Sequence, residues 1–263
     1  MSGFIAVPLL IAIAYIGEPL YGAFICVATA YAAFEVRGML RSGGYAPMTW
    51  LLVGLAVLLP LDAWIAVEAW PPAPDAAVVI SVMVVVGLVS LLVRPPSERA
   101  LVDWALSLGL ALYLGGLMQF FLPLRAAQTS LPGAWVIALL VLSWVCDSSA
   151  FFVGRAIGRT RLAPHISPKK SVEGAIAGLV GAAIAGPLVG QVLGLPPVLM
   201  VGYGLAIGVA TIVGDLIESL IKRQTGVKDS GVLIPGHGGL LDRMDSLLLC
   251  APVAMLIVRA FAA

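Results

Sequence analysis

Residues 197–223 read PVLMVGYGLAIGVATIVGDLIESLIKR, an apolar run that ends in a charged stripe. The part from 197 to 217 is long enough to cross the hydrocarbon core of a bilayer as a helix. Near its end, four polar residues recur at helical spacing on one face: Asp215, Glu218, Ser219 and Lys222. An ionisable group at membrane depth costs a few kcal/mol, so this stripe predicts a functional site within a membrane helix.

The same stripe has a simpler interpretation. Lys222 and Arg223 could reach toward the membrane surface and pair with acids of their own helix. That interpretation explains Asp215 poorly, because Asp215 lies about two turns deeper than Lys222 at about 3.6 residues per turn. An acidic end below a basic end instead favours a metal held deep in the helix with phosphates above it.

The rest of the chain has the same apolar character. Of its 263 residues, 61% are hydrophobic and only 11% are charged, and the mean hydropathy is +1.06. We therefore predict an all-α fold, a polytopic integral membrane protein with about nine transmembrane helices and a cytoplasmic N-terminus, and no soluble domain. The predicted spans are 3–16, 19–36, 49–68, 76–93, 102–122, 133–153, 173–194, 197–217 and 244–262. The first is short and could be re-entrant.

Basic residues are divided unevenly between the two faces that these spans create. All of the 15 Lys and Arg residues except Arg125 and Arg259 fall on one face. Because cytoplasmic loops carry an excess of Lys and Arg, that face is predicted to be cytoplasmic. The long polar loops 154–172 and 221–243 lie on it, so we expect a cell (inner or plasma) membrane protein whose site faces the cytoplasm.

A Gly-rich segment precedes the last predicted span. Residues 232–246 read VLIPGHGGLLDRMDS, and their Pro and Gly residues interrupt a helix and expose backbone N–H groups near His237. A new helix then begins, with Asp242 and Asp245 three residues apart on one face. A plain Gly-rich turn, with acids that complement a helix N-terminus, is the alternative interpretation.

A third polar segment follows the predicted span 133–153. Asp147 lies near the end of that span, and several Arg residues and the sequence SPKK, interpreted as a turn at 167–170, come after it. These cations could face a nucleotide, or they could form an ordinary polybasic loop that is attracted to anionic lipid.

Four carboxylates therefore approach the cytoplasmic membrane boundary from three helices: Asp147, Asp215, Asp242 and Asp245. Clustered carboxylates repel one another unless a cation neutralises them. Oxygen ligands beside phosphate-binding cations favour Mg²⁺, which takes one or two carboxylates plus substrate phosphates. The sequence contains no Ser-His-Asp arrangement, CxxC pair or Walker-type loop. It thus predicts phosphoryl-group chemistry by positioning and charge stabilisation.

The segment 219–245 resembles a known signature. Its fixed positions read Ser219-x-x-Lys222-Arg223, then Lys228-Asp229, then Pro235-x-His237-Gly238-Gly239-x-x-Asp242-Arg243-x-Asp245. This pattern is similar to that of phosphatidate cytidylyltransferases, also called CDP-diacylglycerol synthases. The resemblance extends to Gly214-Asp215-x-x-Glu218-Ser219 and to the segment 147–174. Phe151 and Val172 depart from it, because the family often has Tyr and Trp there. Residues 1–130 resemble the family only in hydropathy and length.

The resemblance implies an enzyme in which phosphatidate attacks the α-phosphate of CTP, giving CDP-diacylglycerol and pyrophosphate. Members of this family are Mg²⁺-dependent integral membrane enzymes and are described as dimers. The expected partners are therefore CTP, phosphatidate, membrane lipid and a second copy of the chain, with no nucleic acid.

Roles for individual residues follow from the resemblance together with the charge pattern. Asp215 and Asp242 are expected to bind Mg²⁺, with Asp147 and Asp245 lining the same acidic site and a second cation there as an alternative. Lys222 joins these four acids in the catalytic set. The residues expected to bind substrate are Ser167, Lys169, Lys170, Ser219, Lys222, Arg223, Lys228, Asp229, His237, Gly238, Gly239 and Arg243.

The chain is expected to divide near residue 130. Residues 131–263 would form catalytic membrane helices with cytoplasmic loops, and residues 1–130 would supply support, dimer or lipid contacts. Two alternative functions stay open at this point. One is a cytidylyltransferase or kinase for another, isoprenoid lipid. The other is a cation-coupled transporter with intramembrane acids, which leaves the basic and glycine-rich motifs unexplained.

Overall fold

The computed structural model describes residues 10–68, 76–93, 98–231 and 238–262. Its helices are α1 (Leu20–Ser42), α2 (Thr49–Val67), α3 (Ala76–Leu92), α4 (Ala100–Met118), α5 (Phe121–Ala126), α6 (Ala134–Ile157), α7 (Val172–Leu193), α8 (Pro197–Gln224) and α9 (Leu241–Ala262). Residues 10–16 are also helical. An antiparallel hairpin of β1 (Arg161–Ala163) and β2 (Ser167–Ser171) connects α6 to α7.

Seven helical segments in the described part of the chain are long and apolar enough to cross a membrane: α1, α2, α4 together with α5, α6, α7, α8 and α9. The apolar helix α3 has 17 residues, which gives it a length of about 25 Å at about 1.5 Å per residue. The predicted all-α, multi-pass membrane fold is confirmed. The number of nine spans and their orientation stay predictions, and the span 3–16 lies partly outside the described residues.

Several helices continue beyond the apolar runs that predicted them. Helix α8 is predicted to end at 217 but reaches Gln224, and α1 is predicted to end at 36 but reaches Ser42. Hydropathy stops at the first charged residues, whereas Glu, Lys and Arg propagate a helix almost as well as Leu. Lys222 and Arg223 in the last turn of α8 also interact favourably with its C-terminal dipole. The charged stripe therefore lies on a continuous helix.

The segment SPKK is a strand rather than the predicted turn. The turn lies at 164–166 instead, where Pro164 supplies the fixed φ that turns favour. Arg161 pairs with Ser171 and Ala163 with Ser167 across the hairpin. Pro168 is tolerated in β2 because a two-stranded sheet has a free edge where no N–H is needed. The hairpin gives the two lysines of β2 a fixed direction.

The chain divides into two compact units, each built from separate stretches of sequence. The first unit comprises Met1–Gly17, Leu124–Arg223 and Arg243–Ala263, and the second comprises Glu18–Pro123 and Gln224–Asp242. The predicted division at residue 130 followed the linear order of the chain. Its assignment of roles to the two halves stays a prediction.

In the second unit, α2 packs against α1 and α4. Leu51, Leu55 and Leu59 of α2 are fully buried at helical spacing. The turn that follows α1 is held by α4, since the Ala46 N–H donates to Asp103 Oδ1 at 3.0 Å and the Met48 N–H donates to Ser107 Oγ at 2.8 Å. Polar atoms inside this unit thus satisfy the backbone of the α1–α2 connection.

In the first unit, glycines allow helices to approach closely. Gly178 of α7 faces Cys146 of α6, Gly186 of α7 faces the backbone of α8 at Met200, and Gly214 of α8 faces the backbone of α9. Small residues let helix backbones meet where lipid provides no hydrophobic driving force. Gly178, Gly186 and Gly214 therefore serve helix contacts within the chain.

Candidate active site

An open cavity of about 670 Å³ lies in the first unit among α6, the hairpin, α7 and α8. Its charged lining consists of Asp147, Arg155, Arg161, Lys169, Lys170 and Asp215. Four cations beside two carboxylates form a site for a polyanion, because Arg and Lys bind phosphate oxygens through charge-assisted hydrogen bonds. The cavity therefore has the chemistry of a phosphate-binding site at the end of a membrane helix bundle.

Two elements deliver the closest ion pair in this cavity. Lys170 of β2 forms a salt bridge with Asp215 Oδ2 of α8, and about a quarter of each side chain is exposed, 27% and 26%. Ser219, one turn further along α8, donates its hydroxyl to Asp215 Oδ1 at 3.3 Å. Because both partners stay accessible from the cavity, a ligand can reach Lys170 and Asp215 together.

A second set of charges is buried one turn along α8. Glu218 is fully buried and forms a salt bridge with Lys222, whose Nζ lies 3.0 Å from Glu218 Oε1. Its carboxyl group also interacts with that of Asp245 of α9. Asp245 further accepts from the Ser246 N–H at 2.6 Å and from the Ser246 hydroxyl at 3.1 Å. Lys222 thus compensates the buried charge of Glu218, as burial requires, and the contact of Glu218 with Asp245 joins α8 to α9.

Three carboxylates of this unit influence one another electrostatically: Asp147, Asp215 and Asp245, with Lys170 as a nearby cation. In the described part of the chain, no three His, Cys, Asp or Glu side chains come close enough to hold a metal by themselves. Mg²⁺, however, is commonly bound by one or two carboxylates together with substrate phosphates. The donor set of the cavity fits a hard divalent cation that binds with a phosphate ligand.

The hairpin is fixed from both sides. Glu173, in the first turn of α7, accepts from the backbone N–H groups of Arg159 and Thr160, each at 3.1 Å. Ser171 caps α7 by accepting from the Gly174 N–H at 3.2 Å. Arg223 Nε donates to the Ile166 carbonyl in the hairpin turn at 3.2 Å. These contacts keep Lys169 and Lys170 on the cavity wall.

The second unit contains a separate network at the glycine-rich segment. Asp242 Oδ2 accepts from the Ser230 N–H, the Ser230 hydroxyl and the Gly239 N–H, each at 2.8 Å. Gly238 has a φ of +82°, a conformation that residues with a side chain rarely adopt. One oxygen of Asp242 therefore closes the loop that precedes α9, and the role of this residue as a metal ligand stays a prediction.

The predicted site residues fall in both units. In the first unit, Asp147, Lys169, Lys170 and Asp215 line the cavity, Ser219 contacts Asp215, and Glu218 connects Lys222 to Asp245. Ser167 lies in β2 outside the cavity lining, and the exposed residues Arg223 and Arg243 belong to the same unit. The second unit contains Lys228, Asp229, Gly238, Gly239 and Asp242. His237 lies outside the described residues.

Three residues were not assigned to the site from sequence. Arg155 and Arg161 line the cavity, although the sequence left open whether the cations of this segment face a nucleotide or anionic lipid and singled out neither arginine. Asp147, Phe151, Gly154 and Arg155 follow one another at helical spacing on α6, a signal that could have identified Arg155. Glu218 lies in the recognised stripe of α8, but only the structure shows that it connects Lys222 to Asp245.

Comparison with known proteins gives one consistent result. A family model described as the cytidylyltransferase family matches residues 1–261. The phosphatidate cytidylyltransferase of Synechocystis sp. is 32% identical over 289 residues, covering 98% of this chain and 94% of the relative. The enzyme of the same name from Thermotoga maritima is 35% identical over 68% of each chain. The one from Pseudomonas aeruginosa is 49% identical over 48% of each.

Proposed function

The chain belongs to the cytidylyltransferase family, and from that premise we propose that it transfers the cytidylyl group of CTP to phosphatidate. The products are CDP-diacylglycerol and pyrophosphate. The chain is thus a multi-pass membrane nucleotidyltransferase of phospholipid synthesis. The observation that carries the proposal is the cavity in which Lys170 and Asp215 meet among three further cations.

The proposed reaction is a displacement at phosphorus. An ionised phosphate oxygen of phosphatidate attacks the α-phosphorus of CTP and forms a new phosphorus–oxygen bond. The bond from the α-phosphorus to the oxygen that bridges it to the β-phosphate breaks, and pyrophosphate leaves with the electron pair. No proton has to be removed from the attacking oxygen, so the protein has to supply position and charge.

Side chains of the first unit provide this charge in the proposal. Arg155 and Arg161 would bind phosphate oxygens with their planar guanidinium groups, and Lys169 and Lys170 would add point charges. When CTP binds, Lys170 would exchange part of its contact with Asp215 for a phosphate oxygen. The freed oxygen of Asp215 then becomes available to a metal. Lys222, Arg223, Lys228, Asp229, His237, Gly238, Gly239, Arg243, Ser167 and Ser219 keep their expected roles in substrate binding.

Cytidylyl transfer typically needs a divalent cation, and we assign Mg²⁺ to Asp147 and Asp215 as its ligands on this chain. When bound, Mg²⁺ would neutralise the charge that develops on the departing pyrophosphate. Asp242 and Asp245 stay in the proposed metal set, and a second cation in the same acidic site is the alternative. The assignment rests on the carboxylate oxygens of Asp147 and Asp215, which are hard donors and lie in a cavity lined by phosphate-binding cations.

The location and assembly of the protein are also proposals. The excess of Lys and Arg in the loops 154–172 and 221–243 favours a cell-membrane protein whose site faces the cytoplasm, where CTP is available. A homodimer is proposed from the resemblance to the family alone. Crosslinking of the purified protein at increasing dilution in detergent would reveal whether a dimer persists.

One assay tests the proposed reaction. Purified protein in detergent is supplied with Mg²⁺ and with one acceptor in each reaction. CTP labelled at the α-phosphate is used with phosphatidate or an isoprenoid monophosphate, and CTP labelled at the γ-phosphate is used with an isoprenoid alcohol. We expect labelled CDP-lipid from phosphatidate together with stoichiometric pyrophosphate. A preference for the isoprenoid monophosphate would identify it, instead of phosphatidate, as the substrate. If the folded, purified protein yields no labelled lipid from any acceptor, the transporter alternative gains support.

A further inference from the structure

Glu35 is a buried acid on α1, far in sequence from every residue of the proposed site. Only 8% of its surface is exposed, and α1 is long and apolar enough to span a membrane. A carboxylate in such a helix costs several kcal/mol unless partners compensate it. In the described part of the chain, its hydrogen-bond partners are Ser230, Leu240 and Leu241, which belong to the second unit as Glu35 does.

Both carboxylate oxygens of Glu35 accept hydrogen bonds. Oε1 accepts from the Leu240 N–H at 2.9 Å, and Oε2 accepts from the Leu241 N–H at 2.8 Å. The Ser230 hydroxyl lies 3.3 Å from Oε2 and 2.8 Å from Asp242 Oδ2. Leu240 and Leu241 are at the beginning of α9, where backbone N–H groups have no partner inside the helix. Glu35 therefore caps α9 from another helix and also contacts Ser230, which lies ten residues before Leu240.

The glycines next to Ser230 and Leu240 are matched to the Glu35 carboxylate. A Cβ atom built on Gly231 would lie 2.5 Å from Glu35 Oε1 and 3.0 Å from its Cδ. A Cβ atom on Gly239 would meet the same oxygen and the Ser230 hydroxyl. The space that these two glycines leave is thus occupied by the buried acid. The hydrogen bonds of Glu35 and the absence of side chains at Gly231 and Gly239 are two separate observations. Both place the Glu35 carboxylate directly against the backbone of these residues.

We propose that Glu35 is a positioning residue for the proposed reaction, because it fixes Ser230 and the first turn of α9. Ser230 follows Lys228 and Asp229 directly, and Asp242 lies in the turn that Glu35 caps. Without the Glu35 carboxylate, Lys228, Asp229 and Asp242 lose the neighbours that fix their backbone and bind their ligands less well. This inference rests on the proposed function, since it takes from there the role of Lys228 and Asp229 in CTP binding.

The experiment compares three purified variants: Glu35→Ala, Glu35→Gln and Asp103→Asn. Asp103 is the matched control, because it is a 6% exposed acid in the second unit that accepts from a backbone N–H. The first readout is hydrogen exchange of peptides that cover Ser230 and residues 238–242. The second readout is the KM for CTP and the kcat. Loss of charge-assisted hydrogen bonds predicts a fall in kcat/KM for CTP of about tenfold or more in Glu35→Ala.

The expected order of effects is Glu35→Ala, then Glu35→Gln, then wild type. Gln keeps one carbonyl acceptor but turns an NH₂ group toward one of the Leu240 and Leu241 N–H donors. Faster exchange at 238–242 with a raised KM for CTP, in both Glu35 variants and not in Asp103→Asn, supports the proposal. Unchanged exchange in Glu35→Ala overturns it. So does an equal loss of activity in Glu35→Gln and Asp103→Asn, which would indicate a general effect on stability.

A second comparison uses Gly231→Ala alone and combined with Glu35→Ala. The three atoms nearest to the built Cβ of Gly231 all belong to Glu35, so the single substitution should loosen the contact of Glu35 with Ser230, Leu240 and Leu241. The double variant should be no worse than Glu35→Ala alone. Additive losses would contradict the proposed contact. Hydrogen exchange needs no turnover, so a wild-type protein without CDP-lipid formation would refute the function while this test of the Glu35 contacts stays valid.

Discussion

The acids of the first unit differ in their burial and in the side chains that contact them. We therefore expect them to have different roles. Asp215 is accessible from the cavity and shared between Lys170 and Ser219. Glu218, one turn away, is fully buried between Lys222 and Asp245. An accessible acid can exchange its protein partner for a metal, whereas a buried acid that is already paired stabilises the helices around it.

Asp215→Asn tests the accessible acid. The amide keeps the shape but removes the charge that binds a cation, and metal stabilisation of the transition state is worth several kcal/mol. We expect CDP-lipid formation at saturating Mg²⁺ to fall by about 100-fold or more. The measurement is a Mg²⁺ titration of the purified variant, with the exposed residue Glu98 changed to Gln as the control. Wild-type turnover with an unaltered Mg²⁺ requirement would remove Asp215 from the metal site.

Glu218→Ala tests the buried acid. The substitution removes the salt bridge of Glu218 with Lys222, whose side chain is 14% exposed. Breaking a buried ion pair in this way costs about 3 kcal/mol, so the thermal midpoint in detergent should drop clearly. Glu218→Gln, which keeps a hydrogen-bond acceptor, should lose less, and Glu68→Ala at an exposed position should lose almost nothing. A Glu218→Ala protein as stable as wild type would show that the pair is not structural.

At the scale of the elements, helix crossings in the first unit depend on glycine. Gly204 of α8 faces the Ala182 carbonyl of α7. Gly202 lies two residues earlier in the same helix, and among the described residues no atom outside α8 lies within 4 Å of a Cβ built on it. The two positions therefore have the same helix propensity but different surroundings. Substituting each glycine by Ala therefore distinguishes the effect of helix packing on stability from the effect of helix propensity.

Gly204→Ala should destabilise the protein by about 1 to 3 kcal/mol, because the added methyl group forces two backbones apart. Gly202→Ala should be neutral or stabilise by up to about 1 kcal/mol through helix propensity. Thermal unfolding of both variants in the same detergent measures the difference. Equal midpoints for the two variants would mean that α7 and α8 do not meet at this glycine.

At the scale of the whole molecule, the orientation in the membrane can be tested with single cysteines. Helix α6 has 24 residues and a length of about 36 Å at about 1.5 Å per residue. Its two ends should therefore lie on opposite sides of the bilayer. In a variant with Cys26 replaced by Ala, Thr160→Cys should react with an impermeant maleimide only from the cytoplasmic side. Gln128→Cys should react only from the other side, and labelling of both from one side would contradict the predicted orientation.

Much of this protein follows from its sequence alone. Apolar runs predict the membrane helices, and the spacing of Asp215, Glu218 and Lys222 predicts one charged face, because hydropathy and helical periodicity are local properties of a chain. The motif around Lys222, Arg223 and Asp242 also indicates the family without a structure. The family model that matches residues 1–261 confirms that identification.

The tertiary structure alone decided which of these residues meet. Lys170 reaches Asp215 only because the sequence SPKK forms a strand, and Glu35 caps α9 across 205 positions of chain. Such contacts depend on the packing of distant segments, which no local period encodes. A buried carboxylate needs donors from whatever backbone lies beside it, and folding determines which backbone that is. The sequence therefore indicated the chemistry of the chain, whereas the fold selected the partners of each acid.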